Sequence, residues 1–175
     1  MIPPSPLTIA VRTSLVLVLA LTFQLGIAPS LGIFGVQGDL LLLVAISAGV
    51  AAGPDRGAAL GFAAGIAYDL MLQTPFGLSA LTYAIVAYLV GGLQDSVLRA
   101  AWWIPVATAT AASVCGVILY GVFGTVLGED LIGMSLLRIA AIVGILNTLA
   151  APVMVKAMRW ATGSSHGVRA RAVYR

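Results

Sequence analysis

Two carboxylates stand against long apolar runs in the first half of the chain. Asp39 opens DLLLLVAISAGVAA, and Asp69 lies near the end of GAALGFAAGIAYDLML, with Gly53, Pro54 and Gly57 between them and Pro75 and Gly77 just beyond. An ionisable side chain in or against hydrocarbon is expensive, so it is expected to pair with another polar group and to mark a functional site. The chemistry open to such a pair is proton transfer, ion pairing or recognition of a partner helix. Catalysis finds little else to use. The only histidine, His166, lies in a polar tail, and the only cysteine, Cys115, lies in an apolar run without neighbours at metal-ligand spacing. No phosphate-cradling glycine loop and no Ser, His and Asp arrangement is present. No enzyme activity, metal, cofactor or nucleic-acid partner is expected.

The elements that must position these residues are membrane helices. Of 175 residues, 61% are apolar and only 9% charged, and the mean hydropathy is +1.08; no ordinary soluble domain has this balance. The apolar mass extends over the whole length, which predicts one all-α, polytopic membrane domain over residues 1–160 and a small, polar, basic tail over 161–175. That tail should be disordered when free and drawn to anionic lipid, or else to a cytoplasmic filament. The run Ser14–Phe23 behind Arg12 resembles a signal peptide, but Pro29 and Gly32 suit a turn better than a cleavage site, so an uncleaved first span is expected.

Cutting at Gly, Pro and charged clusters predicts six spans, at about 12–28, 39–53, 57–74, 77–94, 101–127 and 133–160. The second and third are short for a bilayer and are expected to be partly enclosed by protein. With both termini in the cytoplasm, Arg12, Arg56, Arg99, Lys156, Arg159, Arg169, Arg171 and Arg175 fall inside, and only Arg138 falls on the outer half. Asp39, Glu129 and Asp130 then lie at outer loops, and Trp102, Trp103 and Trp160 lie at the cytoplasmic interface.

Glycines at 49, 53, 57, 61 and 65 repeat every fourth residue. Gly57, Gly61 and Gly65 share one face of the third span, where missing side chains let another backbone approach closely; either a partner's helix or a neighbouring helix of this chain would fill it. Gly53 and Pro54 make one tight turn, and Pro75 and Gly77 the opposite one. At about 1.5 Å per residue, Asp69 stands roughly 18 Å up the third span and Arg138 roughly 8 Å inside the outer end of the sixth. A buried polar cluster of Asp69 and Arg138, joined by Asp39 or Gln24, is therefore expected, either to fix the bundle or to meet a partner. Asn147 is expected to donate to a neighbouring helix, and Tyr83 and Tyr88, five apart, cannot share a helix face.

These residues resemble a known pattern. The Asp-Leu-Leu-Leu opening at Asp39–Leu42, the Gly-rich turn and span from Gly53 to Gly65, the following Asp69, Pro75 and Gly77, and Leu81, Tyr83 and Tyr88 are similar to the rod shape-determining protein MreD family. The resemblance covers about residues 38–93. It implies a non-enzymatic scaffold of the bacterial elongation machinery, multi-pass in the inner membrane. It further implies assembly with MreC, with the MreB filament, and with the pair of RodA and a penicillin-binding protein that makes lateral-wall peptidoglycan. It also implies a six-helix arrangement shared with substrate-binding S-components of energy-coupling-factor transporters. Vitamin transport is thus the alternative function, although their Ala-x-x-x-Ala docking pattern is missing, since Leu15–Leu25 offers only Ala20.

Overall fold

A computed structural model describes residues 5–71, 75–93, 104–128 and 134–164. Among these, six α-helices account for nearly all of the chain: α1 (Pro6–Gly26), α2 (Leu40–Ala52), α3 (Pro54–Asp69), α4 (Leu78–Leu93), α5 (Ile104–Val126) and α6 (Met134–Thr162). Helix α1 begins a turn and a half before the expected boundary. Ser5 caps it by accepting the Thr8 N–H, and Pro6 supplies a preset φ at the first helical position. Helix α3 ends at Asp69 rather than 74, because that side chain turns to the next helix. The expected positions of Arg99, Trp102, Trp103, Glu129, Asp130, His166, Arg169, Arg171 and Arg175 lie outside the described residues.

Helix α2 is the axis. Eleven of its 13 residues are buried, and it touches α1, α3, α4, α5 and α6. A helix apolar on every face is stable only when enclosed, and the other five supply the enclosure. At about 1.5 Å per residue it is roughly 20 Å long, short of a bilayer core of about 30 Å. Helices α1, α5 (Val106–Val126) and α6 (Ser135–Thr162) are long and apolar enough to cross a membrane, while α2 and α4 are shorter apolar helices. The outward side chains of α1, including Leu7, Val11, Leu15, Val18, Leu19 and Phe23, are exposed hydrophobics, as a lipid-facing helix requires.

The turn between α2 and α3 is a single residue. Gly53 closes α2 and opens α3 at φ 85°, a conformation that suits glycine and that lets Pro54 begin the next helix at once. Gly57, Gly61 and Gly65 then face this chain's own helices. A Cβ at Gly57 would lie 2.6 Å from the Gly49 Cα, one at Gly61 2.6 Å from the Tyr83 carbonyl oxygen, and one at Gly65 would overlap the backbone of Ala80. Gly91 completes the contact from α4, where a Cβ would meet the Gly53–Pro54 backbone at 2.5–2.6 Å. The groove foreseen for a partner or a neighbour is filled by α2 and α4.

The start of α1 and the end of α6 meet. The Arg12 guanidinium lies 4.7 Å from the Trp160 ring centroid and donates to the Trp160 carbonyl at 3.4 Å. Ser164 Oγ donates to the Ala51 carbonyl at 2.6 Å, so the α2–α3 turn and the exposed Arg56 share this basic end. Replacing Arg12 by Ala should cost about 0.5–1 kcal/mol, read as a small drop in the unfolding midpoint in detergent.

Candidate functional site

The polar residues gather where α2 starts, well inside the bundle. An α-helix begins with N–H groups that have no internal partner, and here they are buried away from water. Asp39 is the N-cap: Oδ1 accepts the Leu42 N–H at 2.9 Å, and Oδ2 accepts the Tyr83 hydroxyl of α4 at 2.6 Å. Gln24 of α1 spans the same turn, its Oε1 accepting the Leu40 N–H at 2.8 Å and its Nε2 donating to the Gly38 carbonyl at 3.0 Å. Asn147 of α6 repeats this from the other side. Its Oδ1 accepts the Asp39 N–H at 3.1 Å, and its Nδ2 donates to the Asp39 carbonyl and to Ser113 Oγ of α5, each at 3.0 Å. Two side-chain amides thus clasp residues 38–40 as neighbouring strands would. Tyr68 of α3 stacks on Tyr83 with centroids 6.4 Å apart, so all six helices contribute.

Asp69 does a different job at the end of α3. Its side chain is 3% exposed; Oδ2 accepts the N–H groups of Gly77 at 2.9 Å and Ala80 at 3.2 Å, and Oδ1 accepts that of Ser79 at 3.1 Å. One carboxylate therefore caps the first turn of α4, where the helix dipole favours negative charge. Pro75 and Gly77 form the turn that carries the chain back beneath it, Gly77 at φ 94° and the Leu78 N–H bonding the Pro75 carbonyl at 3.2 Å.

Arg138 does not join this site. It is exposed, and among the described residues no ion pair links it to Asp39 or Asp69. The reason is helix length. Asn147 is level with Asp39, and Arg138 stands nine residues nearer the start of α6, or about 13 Å away along the helix. Asp39 ends the α1–α2 connection as the N-cap of α2 and is partly buried. Asn147 donates to neighbouring elements as expected, and Tyr83, absent from the expected polar cluster, is a partner of the Asp39 carboxylate, while Tyr88 is exposed. The shortness of the second span, legible in the sequence, was not carried to its consequence: a 13-residue helix starts level with a polar residue halfway along a longer one.

Chemically the arrangement holds helices together. Both carboxylates are engaged by N–H or O–H donors, and among the described residues no three His, Cys, Asp or Glu side chains could hold a metal ion. A family model for the rod shape-determining protein MreD matches residues 7–160. The chain belongs to the MreD family. Its role therefore lies in rod shape determination, and with its long apolar helices it is a membrane protein. The match takes in Gln24, Asp39, Asp69, Tyr83 and Asn147, so this MreD-family chain carries its whole cluster within the shared domain. Comparisons with curated proteins and with solved structures return no match.

Replacing Gln24 by Leu leaves the Gly38 carbonyl and the Leu40 N–H without their partner and is expected to cost about 1–3 kcal/mol. Arg138→Gln is expected to stay within about 0.5 kcal/mol of the parent. Unfolding of both variants in mixed detergent micelles checks the difference.

Proposed function

We propose that this chain is a non-enzymatic scaffold of six spans in the bacterial inner membrane, with both termini cytoplasmic. In this reading it binds MreC and helps organise lateral-wall peptidoglycan synthesis by RodA and its penicillin-binding-protein partner alongside MreB. Residues 1–160 form one membrane domain with the six-helix arrangement of the S-components, and the basic tail over 161–175 rests on anionic lipid. The match to the family over residues 7–160 carries the proposal. The cluster supports it, because acids committed to capping helices serve a rigid body better than a reaction. A vitamin-binding subunit would need polar groups free to face a ligand, whereas Gln24, Asp39, Asp69 and Asn147 are each engaged by this protein's own atoms.

The test is capture by a tagged MreC from detergent-solubilised membranes, with photo-crosslinkers at exposed positions on α1, α4 and α6 and at Met158, a large buried side chain, as the enclosed control. MreC-dependent crosslinks confined to exposed positions are expected. Capture of an energy-coupling ATPase module with a bound vitamin-like ligand, in place of MreC, would overturn the scaffold.

A further inference from the structure

The segment between α1 and α2 carries a feature that the cluster does not explain. After Gly26 the chain makes a 3-10 turn at Ala28–Leu31 and then a small hairpin, in which Ile33 and Val36 form an isolated antiparallel bridge. The two central residues both have positive φ, Phe34 at 52° and Gly35 at 79°. Such turns favour Asn and Gly, and an aromatic residue in the left-handed region is strained. The strained residue is also 84% exposed, and Ile27, Leu31 and Ile33 beside it are exposed as well. The fold accepts a poor backbone position in order to hold an apolar ring outward.

We infer that this hairpin is an interfacial anchor, with Phe34 and its neighbours seated in the lipid at the outer face of the membrane. The inference rests on the proposal that α1 spans the bilayer. Helix α1 has 21 residues, about 31 Å, which covers a hydrocarbon core of about 30 Å and delivers Ile27 to its far boundary. Exposed apolar side chains run on from α1 through Ile27, Leu31, Ile33 and Phe34. No charged residue occurs between Arg12 and Asp39. The hairpin is also closed by its own backbone: the Ile33 N–H bonds the Val36 carbonyl at 2.8 Å, and the Val36 N–H bonds the Ile33 carbonyl at 3.0 Å. Each backbone group paired in this way lowers the cost of approaching the hydrocarbon, while the tip stays near enough to the boundary for water to reach it.

The experiment uses the full chain with Cys115→Ala, reconstituted in phosphatidylethanolamine and phosphatidylglycerol vesicles. Single nitroxide labels replace Leu31, Ile33 or, as a span control, Val18, and collision with oxygen is compared with collision with a water-soluble nickel chelate. All three labels should favour oxygen. Phe34→Asn should shift the labels at 31 and 33 towards the chelate, while the unfolding midpoint in detergent rises because the turn is relieved. Opposite movement of the two readouts separates anchoring from a packing role, which would lower both. Labels at 31 and 33 that favour the chelate while Val18 favours oxygen would overturn the anchor alone. A Val18 label in water would take down the spanning of α1 as well. Labels at 31 and 33 that stay water-exposed until added MreC shields them would overturn the anchor in favour of a protein-docking loop, as would a Phe34→Asn variant with unchanged accessibility.

Discussion

Gly65→Ala is expected to be the most damaging single methyl in this protein. The new carbon would fall on the Cα and N of Ala80, and neither atom can step aside as a flexible side chain would. Helix α4 would have to move away from α3 along the most extensive helix contact of the bundle. Overpacking typically costs 1–3 kcal/mol and occasionally more; with backbone on both sides and Asp69 holding the same turn of α4, about 3 kcal/mol or more is expected here. Gly92→Ala is the matched control. It lies on the same helix pair with nothing within 4 Å of its would-be Cβ, so it should be neutral or gain up to about 1 kcal/mol from the better helix former. Folded yield and unfolding midpoint in detergent would check the pair, and equal loss in both variants would mean that close approach is not what the glycines provide.

Asp69→Ala should come next. It removes the acceptor for the Gly77, Ser79 and Ala80 N–H groups at a buried helix start, and each buried donor left unpaired costs about 1–3 kcal/mol. A total of about 3–5 kcal/mol is expected, with Asp69→Asn intermediate because it keeps one acceptor oxygen. The two sites are coupled, since Gly65 and Asp69 both act on the backbone at residues 79–80. A double-mutant cycle of Gly65→Ala and Asp69→Ala should therefore be non-additive: once α4 has moved off α3, the cap has already been lost. Additivity of the two effects would show that each acts on a separate part of α4.

Much of this was legible from residue types. Gly, Pro and charged clusters mark where helices stop, so six helices emerge at close to the expected places, and the four-residue spacing of glycines identifies a close-packed face. Asp39 and Asp69 stand out because carboxylates in oil need partners. What those partners are was not legible, because backbone N–H groups leave no mark in a sequence whereas a cation does. Arg138 therefore drew the pairing that the Gly77, Ser79 and Ala80 N–H groups make with Asp69 and the Leu42 N–H and Tyr83 hydroxyl make with Asp39. Ser5 and Pro6 were a readable start for α1, hidden by taking Arg12 as the boundary. The reach of Asn147 to Asp39 across 108 positions depends on helices of unequal length lying level at the basic end, a relation that spacing along the chain does not carry.

The clasp on residues 38–40 also has a bearing on how the protein is made. Helices leave the ribosome in order, and α2, roughly 20 Å long and short of a bilayer core of about 30 Å, is followed at once by α3 through the one-residue turn at Gly53. Gln24 is already present by then, and Tyr83 follows with α4. Asn147 is the last partner of Asp39 to be synthesised: until α6 arrives the Asp39 N–H lacks its acceptor and the Asp39 carbonyl has only the Leu43 N–H of its own helix, so an unpaired donor stands at the start of the axis. A chain that stops after α5 is left with an open seam at its centre. Closure of the axis therefore waits on α6, the helix that brings Asn147.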